Sequence, residues 1–495
     1  MRAKIVMVGW LVGGCSLPNP WFGLASEGEG ETTATETGAG SGSTTLLPTS
    51  GGPGVSTQEP TGASTGTAGS TGPLTATEAG TGTTAVGTTE ATATGVSTGA
   101  EETGVPGPDL GADGCGNGVL DPGEDCEDGD QAPGDGCEAN CKRMFAGSEL
   151  AVAEAPGDIA AADLDGDGEV DLVITHVTGE LNDPDYSLLI NQGAGVFGAM
   201  PLALPGFTGA TRVLVGQVAG DDRPDLVFVA AVSGKQHVLA NKTMAGVLKL
   251  EATQWVQGPP PGAVTDAALA YLDGDDLADL VLVVGEKLLV HLNDTMGGFK
   301  PGEGYGLVLK MASSVATGPV LKGSAQEHVV VAFLSVAEDG LGFTNNGAGK
   351  LTPQVDPVKR CPAGASAVRA GDADMQGPID LVVGCVSGRV VLAGHDGLAA
   401  YTRSVEAGAA ISSAGTIDLY GGDEAIDVYA TTAAGKAVVV GVQVGKKFVA
   451  THTEAMSSGP TASAVLDYDN DGAPDLAVVL AKANKVGLLR NQTRD

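Results

Sequence analysis

Asp163-Leu-Asp165-Gly-Asp167-Gly-Glu169-Val-Asp171-Leu-Val-Ile174 is a polar turn running straight into a β-branched, apolar strand. It returns as Asp467-Tyr-Asp469-Asn-Asp471-Gly-Ala473-Pro-Asp475-Leu-Ala-Val478. Between the two, the last polar residue before a comparable strand recurs at Asp225, Asp279, His328, Asp380 and Asp427. Counted from Asp171, these seven anchors lie 54, 54, 49, 52, 47 and 48 residues apart. Most units add a second apolar run closing on Asn, at Asn191, Asn241, Asn293 and Asn491. A Gly turn and Phe follow in Gly195-Val-Phe197 and Gly298-Phe299. A period of this length, built of short strands and Gly turns, fits one four-stranded blade of a β-propeller. The expected fold is therefore all-β, with seven blades over residues 145–495.

These units resemble the FG-GAP/VCBS repeats of integrin-alpha-type propellers, and the resemblance covers roughly 350 residues. The units at His328 and Asp427 match by strand pattern and spacing alone. The array opens at Phe145, which corresponds to the Phe that ends a unit, and closes at Asn491-Gln-Thr493 without one. The stretch Phe145 to Glu154 is thus expected to supply the missing outer strand of the last blade, leaving only short, protected edges.

In the first loop, carboxylates at positions 1, 3, 5 and 9 (Asp163, Asp165, Asp167, Asp171) converge, and Glu169 at position 7 offers its backbone carbonyl. Gly168 permits the sharp turn around an ion, and hard oxygen donors suit Ca2+. Asp467, Asp469, Asp471 and Asp475, with the carbonyl of Ala473, repeat the set. An EF-hand needs Glu at position 12, where Ile174 and Val478 stand, so these are propeller loops. A third, weaker loop comprises Asp372, Asp374, Gln376 and Asp380, with neutral Gln in a carboxylate position. Tyr271, Asp273, Asp275 and Asp279 lose the first ligand, and Gln217, Ala219, Asp221 and Asp225 lose more; both read as plain turns.

Residues 1–14 carry Arg2 and Lys4, a short apolar stretch, and Val12-Gly-Gly-Cys15. They resemble a bacterial lipoprotein signal peptide, which makes Cys15 the lipidated residue. Ser16 follows, which by analogy favours export to the outer membrane and display at the cell surface. Residues 15–111 are dominated by Thr, Gly, Ser, Ala, Glu and Pro and lack the apolar content to fold, so they read as a disordered stalk. A flexible coil of roughly 90 residues spans about 50 to 60 Å. Residues 112–144 hold Cys115, Cys126, Cys137 and Cys141. Cys115-Gly-Asn-Gly-Val-Leu-Asp-Pro-Gly-Glu-Asp-Cys126 and Cys137-Glu-Ala-Asn-Cys141 resemble one myxococcal cysteine-rich repeat. Without His or a CxxC pair, disulfides are expected over zinc, in any of three connectivities. Cys361 and Cys385 flank the third loop on neighbouring strands and are expected to form a further bond.

A net charge of -35 repels phosphate backbones and makes nucleic acid an unsuitable partner. The six His residues are scattered singly, and no HExxH, nucleotide loop or nucleophile elbow occurs in folded sequence, so no catalytic constellation is expected. The sequence reading is a calcium-stabilised surface lipoprotein, held to the membrane by lipid alone, whose propeller binds a protein or glycan. A propeller-type polysaccharide lyase is the alternative, since propellers assemble sites from separate blades. A passive surface-layer protein is the third reading.

Overall fold

The computed structural model describes residues 115–494, apart from 122–123, 133–136, 179–182, 205–206, 245, 258–262, 308–310, 321–323, 336–339, 355–360, 374–378, 396–399, 422–425 and 446. The expected signal segment, Cys15 and the stalk lie outside the described residues. Seven antiparallel sheets of four strands each form the blades of a β-propeller. Every sequence anchor is the first residue of a blade's second strand, from Asp171–His176 in blade 1 to Asp475–Leu480 in blade 7. His328–Phe333 and Asp427–Thr432 keep the same place.

The second strands read as continuous apolar runs because both of their faces are covered. Alternate side chains point to opposite neighbours. In blade 1, Leu172 and Ile174 pack into a core shared with blade 7, through Leu466, Ala477 and Val479. Val173 between them packs into a core shared with blade 2, through Val213, Val215 and Phe228. Seven such cores exist, one at each junction between neighbouring blades.

Ring closure follows the expected phase. Phe145–Ala151 is the outer strand of blade 7 and pairs antiparallel with Lys485–Asn491, with Phe145 opposite Asn491 and Ala151 opposite Lys485. Phe145 is buried together with Met144 in the core between blades 6 and 7. Disulfides join Cys115 to Cys141, Cys126 to Cys137 and Cys361 to Cys385, with Cα separations of 5.5, 5.6 and 5.3 Å. The last is the bond expected from the sequence. The cysteine-rich segment also touches the propeller, where Asn140 Nδ2 donates to the Gln492 carbonyl and Tyr420 Oη to Glu138.

A hydrogen-bonded chain runs between the blades. In blade 1 the Leu164 N–H donates to Asp171 Oδ2 at 2.9 Å, and the Asn191 N–H donates to Asp171 Oδ1 at 2.8 Å. The Leu164 carbonyl in turn accepts from Asn241 Nδ2 of blade 2 at 2.8 Å, and the Asn241 N–H donates to its own blade's Asp225. The same step recurs from Asn293 to Val218, Asn345 to Leu272, Gln443 to Ala373, Asn491 to Leu419 and Asn191 to Tyr468, at 2.7–3.0 Å. Six of the seven junctions are thus latched among the described residues. In blade 4 the anchor is His328, whose Nδ1 accepts the Asn345 N–H at 3.1 Å. Asn241→Ala removes one latch and leaves a buried carbonyl without that donor. It is expected to cost about 1–3 kcal/mol, read as a lower urea midpoint at unchanged slope. An unchanged midpoint would show that the latch contributes nothing.

Candidate metal centre

The blade 1 loop leaves the innermost strand Pro156–Ala162 and returns as the second strand at Asp171. Its turn is made by Gly166 and Gly168, at φ 78° and 94°. At both positions a Cβ would meet nothing within 4 Å, so the glycines answer to backbone conformation and not to crowding. Asp163 accepts the N–H groups of Gly166 at 2.7 Å and Gly168 at 3.1 Å, which wraps the loop around the carboxylates. Ligand oxygens of Asp163, Asp165 and Asp171 lie within 4.8 Å of one another. Asp167 stands beside this trio, close enough to help push the Asp165 carboxyl up, after burial as the main cause. Glu169 Oε2 is buried without a hydrogen-bond partner.

The blade 7 loop has the same build. Asp467, Asp469 and Asp475 converge within 4.8 Å, and Asp467 accepts from Asp471 N–H at 3.1 Å and Gly472 N–H at 2.9 Å. Asn470, at φ 60°, takes the left-handed place of Gly166, a conformation Asn tolerates. Asp469 Oδ1 is a buried orphan. Hard carboxylate oxygens with orphaned buried atoms in both loops fit a divalent cation such as calcium. The loops adjoin across the closure of the ring. Asn470 Nδ2 donates to Glu169 Oε1 at 3.4 Å, and Tyr468 packs against Phe197 with ring centroids 6.1 Å apart.

In the third loop, Asp380 accepts the Ala373 N–H at 3.0 Å, as the other Asp anchors accept their turn's N–H. Asp372 is half-buried, while Asp374 and Gln376 lie outside the described residues. In blade 2, Lys242 Nζ reaches Asp221 Oδ2 at 2.7 Å, so a protein cation sits where ligands are missing. In blade 6, Arg494 holds Asp418 at 3.1 Å. In blade 7, Arg490 pairs with both Asp469 and Asp471. None of these basic residues was read from the sequence. For Lys242 and Arg490 the available signal was a basic residue beside the Asn that ends the third strand, where blade 1 has Ile190 before and Gln192 after; Arg494 lies three residues beyond Asn491.

A fourth cluster, Cys115, Glu124, Glu127 and Cys141, is no thiolate site, because its sulfurs form a disulfide. Glu127 instead accepts the N–H groups of Gly116, Gly118 and Gly129.

No protein-family model matches the chain, and no curated protein matches it. Among solved structures, a crystal structure of BBS1N in complex with ARL6DN, soaked with lead, is similar at TM-score 0.48 and 14% identity, covering 70% of this chain and 97% of that one. A lectin of Agrocybe aegerita that recognises non-reducing terminal N-acetylglucosamine is similar at TM-score 0.43 and 17% identity, covering 64% of this chain and 81% of that one. These likenesses concern the fold alone.

Burial pushes the Asp171 carboxyl up to about 7, against the pull of the Asn191 and Leu164 N–H groups, and Asp165 and Asp163 add to the rise. Burial likewise pushes Asp475 up to about 8 and Asp279 up to about 7. A carboxyl raised in this way holds its proton more tightly folded than unfolded. Stability is then highest below the unfolded value of about 4 and falls as pH rises toward the folded values. In chelator, the melting temperature is therefore expected to fall from pH 5 to pH 8. A flat or rising profile in differential scanning calorimetry would contradict it.

Proposed function

We propose that this chain is a calcium-stabilised binding protein of the cell surface, a lipoprotein anchored through Cys15 that presents its propeller to a protein or glycan. The observation that carries the calcium part is the placement of two acidic loops side by side where the ring closes. Bound calcium would neutralise carboxylates that otherwise repel one another. Asp163, Asp165 and Asp171 would hold one ion, and Asp467, Asp469 and Asp475 the other. The surrounding N–H groups of Gly166, Gly168, Asp471 and Gly472 fix those carboxylates in place beforehand. With the ion at 100 times its dissociation constant, one site stabilises the folded state by about 2.7 kcal/mol. In support of export, the six described cysteines are all disulfide-bonded, as an oxidising compartment favours. The reading assigns no catalytic residue; the ligand site lies on the propeller and calcium serves the scaffold.

Chelation at pH 8 is expected to lower the melting temperature and to expose the amides of Phe145–Ala151 to hydrogen exchange before those of the middle blades. Asp165→Ala or Asp469→Ala is expected to reproduce much of this. Identical melting and protection with and without chelator would refute structural calcium.

The binding and anchoring parts are tested together on the full chain produced in a Gram-negative host. Detergent-phase partition that is lost in Cys15→Ala reads the anchor, and unchanged partition in the variant removes it. Calcium-dependent retention of defined glycans on an array, or of purified envelope proteins, reads the binding. Release of unsaturated sugars from acidic polysaccharides would replace binding by a lyase activity, and neither result would leave a passive surface component.

A further inference from the structure

The two loops carry the same ligand pattern but not the same charge. The blade 1 loop carries five acidic residues, Asp163, Asp165, Asp167, Glu169 and Asp171, of which Asp163, Asp165 and Asp171 converge, and none of the five is in an ion pair among the described residues. Blade 7 brings four, Asp467, Asp469, Asp471 and Asp475, and sets a guanidinium among them. Arg490 Nε contacts Asp469 Oδ2, and its Nη2 lies 2.8 Å from Asp471 Oδ2. Asp469 is one of the three converging ligands. Arg490 arises from the third strand of the blade, directly before the latch residue Asn491, and its side chain is 29% exposed. At the matching position blade 1 has Ile190, which offers no charge.

Two other blades show what a basic side chain does beside such a loop. In blade 2 the loop has Gln217 and Ala219 at ligand positions, and Lys242 binds the remaining Asp221. In blade 6 Arg494 binds Asp418, the first residue of that loop. In both, the protein supplies its own cation. Blade 7 combines such a cation with a complete ligand set.

We infer that Arg490 is an affinity-determining residue, an internal competitor that makes the blade 7 loop the weaker and later-filled of the two cation sites. This rests on the calcium reading above and assigns the two sites different duties. The blade 1 site fills first and stays filled. The blade 7 site responds to the calcium concentration, and in its absence Arg490 holds Asp469 and Asp471 together within the blade 7 loop. The sign is electrostatic. A unit positive charge roughly 6 Å from a divalent ion in near-aqueous dielectric weakens binding by about tenfold, and an ion taking Asp469 must also displace or share a charge-assisted hydrogen bond.

The test is isothermal titration of the full chain with calcium chloride. Asp165→Ala isolates the blade 7 site and Asp467→Ala isolates the blade 1 site. The blade 7 site is expected to bind at least about tenfold more weakly. Arg490→Gln in the Asp165→Ala background is expected to tighten it by about tenfold, and in the Asp467→Ala background to change nothing. Equal affinities at the two sites, or no tightening by Arg490→Gln, would overturn the inference. Should Asp165→Ala fail to fold, as judged by circular dichroism, Arg490→Gln alone decides. The two-step isotherm of the unaltered protein is expected to draw together toward one step, and an unchanged separation overturns the inference. If the unaltered protein takes up no calcium at all, the calcium reading itself fails, a result distinct from two sites of equal strength.

Discussion

The structure depends on a buried carboxylate at the head of the second strand in six of the seven blades. Taking such a group out of water is costly unless its oxygens are hydrogen-bonded. In five of these blades one oxygen takes the N–H of the turn before the strand, and the other takes the N–H of the third strand's last residue, as in Asp225 with Val218 and Asn241. Both partners are then committed to the neighbouring blades. The turn residue's carbonyl receives a side-chain amide from the next blade, and the latch residue's own side chain reaches back to the preceding one. Each of these five carboxylates therefore fixes a turn, a strand end and a junction, while the apolar cores between blades supply the bulk of the burial. The cores are forgiving in shape, being mostly Val, Leu and Ala. The latches are directional, and they set how far each blade is rotated on its neighbour.

The two acidic loops are built onto this device. Position 9 of each ligand set is the latch carboxylate itself, Asp171 or Asp475, so an ion there would be tied directly to the junction network. This accounts for why anchors survive in blades whose loops have lost ligands. Asp225, Asp279 and Asp427 keep both backbone partners although their loops lack a full donor set. In blade 4 even the carboxylate is replaced, and His328 Nδ1 suffices because one acceptor is still offered to Asn345. The anchor duty recurs around the ring, while the ligand duty proposed for Asp171 and Asp475 belongs to two blades alone.

Period, strand order and ring phase were legible because each is written locally. A polar anchor before a β-branched run marks a strand start, and an unmatched Phe at one end against a missing one at the other gives the closure. The pairing of Cys361 with Cys385 was legible for the same reason, since the two flank adjacent strands. The latch was not legible. Its defining contact joins residues such as Leu164 and Asn241, 77 positions apart, and a recurrent Asn looks in sequence like an ordinary turn residue. The converging acidic trios were recognisable from spacing, but the charge around them was not. Lys242, Arg494 and Arg490 act from strand ends and the chain terminus, places that a loop motif does not cover.

The closing strand gathers these threads. Phe145–Ala151 is held by Lys485–Asn491, where Ala146 lies opposite Arg490 and Phe145 opposite Asn491. Arg490 reaches from that strand into the blade 7 loop, and Asn491 carries the latch to Leu419. On the other side, Cys115 is bonded to Cys141, so tension arriving from an N-terminal tether would bypass the loops of the cysteine-rich segment and enter the propeller next to Met144 and Phe145. For a protein anchored through its N-terminal side, as proposed, the seam is then both the point where the ring was joined and the point where it is pulled. A strand with few long side chains in the core resists such pulling mainly through its backbone ladder, whose partner strand must itself be immobile. The charged and latched residues of Lys485–Asn491 provide that immobility, and a cation in the blade 7 loop would reinforce it from within the blade, one in the blade 1 loop from the adjoining blade.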